Sequence, residues 1–221
     1  MRDFAERVAR RTMHASRIRH YSLGSLAFVA VVVLLSGCTT PRTDVGAPKI
    51  VSIEEWGGVR VDMRATNARA HGPTRLTLHH GGVAFLRDRD PMQYLRNLQT
   101  WSRNTRGWAD IPYHYLIDLD GRVYEGRNVL FAGDTNTEYD PKGHALIVVL
   151  GNFEEVEPNP AQLEAVVSTM TMLARRFNLS ADVIAGHKDF SAQTACPGKS
   201  LYPYLTNGFF QREVAKRLKR D

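Results

Sequence analysis

Cysteine is nearly absent from this chain: its 221 residues include only Cys38 and Cys196. A disulfide framework has no material to form from. HExxH, P-loop and GxSxG motifs are also missing, which leaves the enzyme classes built on them without support. There is no internal repeat and no low-complexity tract. The longest apolar run, Leu23–Leu35, is 13 residues, short of the roughly 20 that a membrane-spanning helix needs. The formal net charge of +6 is unevenly placed: residues 1–37 hold six arginines against Asp3 and Glu6, a net +4, which leaves +2 for the remainder. No basic stripe interleaved with aromatics follows, so the pattern argues against nucleic acid as a partner.

What is present begins with that basic start. Arginine-rich residues followed by a 13-residue apolar stretch have the layout of a secretory signal. Leu35-Ser36-Gly37-Cys38 then resembles the lipobox of bacterial lipoproteins. The resemblance implies a signal peptide over 1–37 and a lipidated N-terminal Cys38. Thr39, rather than Asp, implies an outer-membrane lipoprotein facing the periplasm. The alternative is an uncleaved signal anchor in the inner membrane, and Met13 is a second candidate start. Residues 38–49 read as a lipidated cysteine and polar tether, reaching at most about 35–40 Å. The domain is expected over 50–221. With Cys38 lipidated, Cys196 has no disulfide partner, and is buried and inert, catalytic, or a metal ligand.

Composition, 43% hydrophobic and 24% charged, is that of a globular chain. Arg75–His80 reads as a strand. Asp90-Pro91 opens a helix whose expected apolar face is Tyr94, Leu95, Leu98 and Trp101, stopping near Gly107. Tyr113–Asp118 and Arg122–Glu125 are expected as strands joined through Asp120-Gly121. Ala145–Leu150 is apolar without alternation, the pattern of a strand buried on both faces. Asn159-Pro160-Ala161-Gln162 starts a helix carrying Leu163 to Phe177. A short strand over Asp182–Ala185 and a C-terminal helix with Phe210, Val214 and Leu218 complete the pattern. The fold class is α/β: a central mixed sheet flanked by about three helices.

Two strand ends carry imidazoles, His79 and His187, and Cys196 lies in the loop after the second. Two histidines and a cysteine suit zinc, and a set of three leaves the open position of a catalytic site. Nothing after Cys196 is His, Cys or Met, which offers no fourth ligand and argues against blue copper with its axial Met. A Cys/His peptidase with Cys196 as nucleophile is the other enzymatic reading.

His79-His80 ending a strand, WADIPYHYLIDLDGRVYEGR (Trp108 to Arg127), GNF (Gly151 to Phe153) and GHKDFSAQTACPGKSLYPYL (Gly186 to Leu205) together resemble the type 2 N-acetylmuramoyl-L-alanine amidase and peptidoglycan-recognition protein family. EEWGG (Glu54 to Gly58) resembles the family's opening segment. The likeness covers about residues 50 to 205. It implies a single zinc ion on His79, His187 and Cys196, with His80 a neighbour. It implies a catalytic Tyr113, and a Thr194 that helps polarise the carbonyl, although the His-to-Cys interval is one residue longer than in many relatives. Cytosolic relatives use Asp as third ligand and a Glu from the buried strand as base; Cys196 and ALIVVLG place this chain with the tyrosine type. The substrate so implied is peptidoglycan or its muropeptides, cleaved between N-acetylmuramic acid and L-alanine. Substrate contacts are implied at Gly107, Trp108 and Asn152, and Gly107-Trp108 imply a preference for meso-diaminopimelate stems. His114 reads as structural. The alternative is a non-catalytic peptidoglycan-binding protein of the same fold.

Overall fold

The computed structural model describes residues 46–220; the signal segment, Cys38 and most of the tether lie outside them. Among the described residues no helix is long and apolar enough to cross a membrane.

Six strands form one mixed sheet: β1 (Ile50–Val51), β2 (Arg75–His80), β3 (Tyr115–Ile117), β4 (Val123–Glu125), β5 (His144–Val149) and β6 (Ile184–Gly186), ordered β1-β4-β3-β5-β2-β6. All neighbours run parallel except β3 and β4. The mixed α/β sheet is as expected, and β5 is buried along its whole length. Among the described residues four α-helices accompany it, in keeping with the expected sheet flanked by about three: α1 (Pro91–Asn104), α2 (Pro160–Phe177), a single turn α3 (Pro203–Thr206), and α4 (Phe209–Leu218).

The caps are those the sequence spells out. Asp90 accepts the Met92 N–H at the start of α1, and Asn159 and Gln162 form a reciprocal capping box on α2. The hairpin is shorter than expected. Tyr113 precedes β3 instead of lying in it, because β3 pairs with β4 only from Tyr115 to Ile117. Asp118 accepts the N–H groups of Asp120 and Arg122, and Gly121 turns with φ +76°. The last strand is also displaced: Ala181–Val183 is a 3-10 turn, and β6 begins at Ile184.

Alternation along the central strands divides the core into two layers. Leu76 and Leu78 of β2, with Ala145, Ile147 and Val149 of β5, pack on Val166 and Met170 of α2 and Phe210 of α4. Val148 and Leu150 face the other way, toward Leu95 of α1, Trp56 and Tyr124. His79 stands opposite Val148 in the parallel β2–β5 pair, so its ring points to the α1 face. On that face helix cover is incomplete. Of the apolar stripe expected on α1, only Leu95 is fully buried; Tyr94 and Leu98 pack against the core at its edge, and with Trp101 they also line a cleft.

Candidate metal centre

The register of β2 and β6 builds the centre. Leu78 lies opposite Gly186, so the next residue of each strand, His79 and His187, come side by side with ring centroids 4.6 Å apart. A turn closes directly after β6, where the Gly186 N–H donates to the Asp189 carboxylate at 2.7 Å. The loop returns Cys196 to the same place, since the Lys188 N–H donates to the Cys196 carbonyl at 2.9 Å. Thr194 helps hold it: its hydroxyl accepts the Cys196 N–H at 3.1 Å.

The three expected ligands are therefore together. Donor atoms of His79, His187 and Cys196 all lie within 4.8 Å of one another, and all three residues are buried. Cys196 Sγ is 3.6 Å from His79 Nδ1. Sulfur and nitrogen ligands of a tetrahedral zinc, at about 2.3 and 2.0–2.1 Å from the ion, stand about 3.6 Å apart. Borderline-soft donors at that separation, with a fourth position open, fit zinc.

Burial sets the protonation of these groups. It holds His79 neutral, well below the ordinary histidine value, with the neighbouring His187 adding to the effect. It lowers His187 to about 4. Both imidazoles are therefore in the form that binds a metal. Burial pushes the Cys196 thiol up to about 12, opposed by the N–H of His80, which donates to Sγ at 3.3 Å. A cation at the site reverses that cost by stabilising the thiolate.

The centre opens into a cleft of about 390 Å³. Its lining includes His80, Tyr113, Thr194, Trp108, the α1 residues Tyr94, Leu98 and Trp101, and the segment Asp134 to Thr137. The Tyr113 ring lies 5.3 Å from that of His79, and desolvation raises its phenol above the usual value, so it stays neutral. Two expected substrate contacts are not in the lining. Gly107 is exposed in a left-handed turn after α1, with φ +66°. Asn152 uses its side chain and carbonyl on the turn that follows β5, accepting from Glu154, Glu155 and Val156. His114 is buried and structural: Nε2 faces the Phe131 carbonyl at 2.9 Å and Nδ1 accepts the Leu146 N–H at 2.8 Å.

Sequence reasoning missed the segment Asp134 to Tyr139. Thr137 Oγ1 lies 2.8 Å from His187 Nε2, and the Tyr139 ring stands 4.8 Å from that of His187. Asp134 is held by the guanidinium of Arg127, which is 1% exposed at its side chain and also donates to the carbonyls of Asp110, Ile111 and Ala132. Short, polar and without periodicity, the segment has no local signature.

Residues 69–199 match the family described as N-acetylmuramoyl-L-alanine amidase. This chain belongs to that family. Peptidoglycan-recognition protein SD of Drosophila simulans is 32% identical over 165 residues, 72% of this chain and 86% of that protein. A human N-acetylmuramoyl-L-alanine amidase is 32% identical over 113 residues, half of this chain and 19% of the human one. The fold is similar to the ectodomain complex of peptidoglycan recognition proteins LCa and LCx solved with tracheal cytotoxin bound. There the TM-score is 0.62 and identity 30%, over 71% of this chain and 94% of that one.

Proposed function

We propose that this family member is a zinc-dependent N-acetylmuramoyl-L-alanine amidase that hydrolyses the amide between the lactyl group of N-acetylmuramic acid and L-alanine in peptidoglycan. The observation that carries this reading is the buried His79, His187 and Cys196 set, with Sγ and Nδ1 at 3.6 Å, opening into a cleft beside Tyr113.

His79, His187 and Cys196 would hold the ion. Zinc so held supplies a water nucleophile at neutral pH and Lewis acidity toward the scissile carbonyl. Tyr113, kept neutral by burial, donates a hydrogen bond to the oxygen that gains charge as the amide is attacked. Thr194 holds the backbone of Cys196 in place. Trp108 and the α1 aromatics give the cleft an apolar side suited to sugar rings and the stem peptide. The proposed preference for meso-diaminopimelate stems rests on Gly107-Trp108, of which Trp108 lines the cleft.

The cellular setting proposed is an outer-membrane lipoprotein tethered through Cys38 and facing the periplasm. Binding without hydrolysis is the second reading, carried by the recognition proteins among the relatives. One experiment separates the two: purified sacculi are digested and the products mass-analysed. Free stem peptides that begin with L-alanine are expected, released faster from diaminopimelate-type than from lysine-type walls. Binding to sacculi without any such product would leave only the second reading.

A further inference from the structure

The two imidazoles of the centre are held differently. His79 has its Nδ1 beside Cys196 Sγ, while its Nε2 is buried without a hydrogen-bond partner among the described residues. His187 has its Nε2 2.8 Å from the Thr137 hydroxyl. That hydroxyl is itself 2.9 Å from Thr135 Oγ1, which also accepts the Thr137 N–H at 3.2 Å. Thr137 comes from the segment between β4 and β5, 50 residues away in sequence from His187.

We propose that Thr137 is a positioning residue that selects the tautomer of His187, leaving Nδ1 as the ring's metal donor, and so sets the zinc affinity of the site. The inference rests on the zinc reading above. A neutral imidazole carries one proton, and the nitrogen without it is the ligand. When Thr137 gives its hydroxyl proton to Thr135, its oxygen can only accept, and His187 must carry its proton on Nε2. The lone pair then sits on Nδ1. The reverse chain, Thr135 to Thr137 to Nε2, would put the proton on Nδ1 and block that atom. Because Nε2 faces the Thr137 hydroxyl at 2.8 Å, the ring offers Nδ1 to an ion, and only the first arrangement leaves that atom free to bind it. Hydrogen bonds of this kind to ligating histidines typically change metal affinity by 10–100-fold when removed. His79 lacks such a partner, so His187 is where the fold can exert this control.

The test is zinc affinity, measured by competition with a chromophoric chelator on the full chain, alongside thermal unfolding of the metal-free protein. Thr137→Val removes the hydroxyl at nearly constant volume, and Thr137→Ser keeps it. We expect about 10–100-fold weaker zinc binding for the valine variant, affinity within about threefold of wild type for serine, and similar metal-free unfolding for all three. Valine binding zinc as tightly as wild type would overturn the proposal, as would serine binding as weakly as valine. Should the valine variant fail to fold, nitrogen NMR of metal-free wild type decides: His187 protonated on Nε2 supports the proposal and His187 protonated on Nδ1 defeats it. Wild-type protein that binds no zinc would overturn the metalloenzyme reading instead, and the NMR result would still judge the tautomer.

Discussion

Gly186 lies directly opposite Leu78, and there is no room for a side chain at that position. A Cβ there would come within 2.9 Å of both Leu205 Cδ1 and Pro197 Cδ. Pro197 follows Cys196, so a side chain at position 186 would press on the residue next to the candidate third ligand.

Gly186→Ala should therefore disturb the centre as well as the fold. Overpacking of this kind costs about 1–3 kcal/mol. Denaturant unfolding and zinc content measured on the same preparation are expected to fall together. Unchanged stability would show that Leu205 and Pro197 yield without cost.

Cys196→Ser separates chemistry from recognition. A neutral hydroxyl is a poor zinc ligand, while most of the cleft's lining, including α1 and the 134–137 segment, lies outside the loop that carries Cys196. Zinc and hydrolysis should be lost, with binding to sacculi kept within about tenfold, or 1.4 kcal/mol. Hydrolysis without zinc would end the metalloenzyme reading; loss of binding as well would make Cys196 a structural residue.

Tyr113→Phe removes one hydrogen-bond donor beside the centre and leaves its ligands untouched. Loss of such a donor costs about 10²–10³ in kcat. Zinc content should match wild type. A variant that keeps full kcat would remove Tyr113 from the mechanism.

Acid should destabilise the metal-free protein through His114. Burial lowers this group from its ordinary 6.5 to about 3, the hydrogen bond to the Phe131 carbonyl opposing the shift and the charge of Arg127 adding to it. Below pH 6.5 the unfolded chain takes up a proton that the folded chain refuses. The stability that the neutral ring provides is complete above that value and is lost as pH falls toward 3. The slope for this one group is about 1.4 kcal/mol per pH unit inside the window. Urea unfolding at pH 7 and pH 4.5 checks it, with a shallower dependence expected for His114→Ala.

Cys38→Ala should block processing and release the protein from outer membranes. Metabolic labelling with a fatty-acid analogue is the measurement, and wild-type protein that takes up no label would refute lipidation.

Local chemistry made much of this protein legible from residues alone. Asp90-Pro91 and Asn159 through Gln162 spell out helix starts because a cap is satisfied within three residues of itself. The apolar run of β5 announced burial on both faces. His79, His187 and Cys196 could be named as candidate ligands because zinc restricts its donors to a few residue types, and family motifs marked these three. Other features depended on partners far away in sequence. Tyr113 falls outside β3 because β4 pairs only from Glu125 back to Val123. Tyr94, Leu98 and Trp101 have the spacing of core residues, yet they are only partly covered and line a cleft, because the layer on their face of the sheet is incomplete. Thr137 and Tyr139 reach His187 only after β4 and β5 are in the sheet, and a polar loop carries no periodicity to reveal it. Which side chains can donate to a metal is a property of single residues, and the sequence determined it. The separation of those donors and the open side of the cleft depend on which strands lie next to each other, and only the tertiary structure decided them.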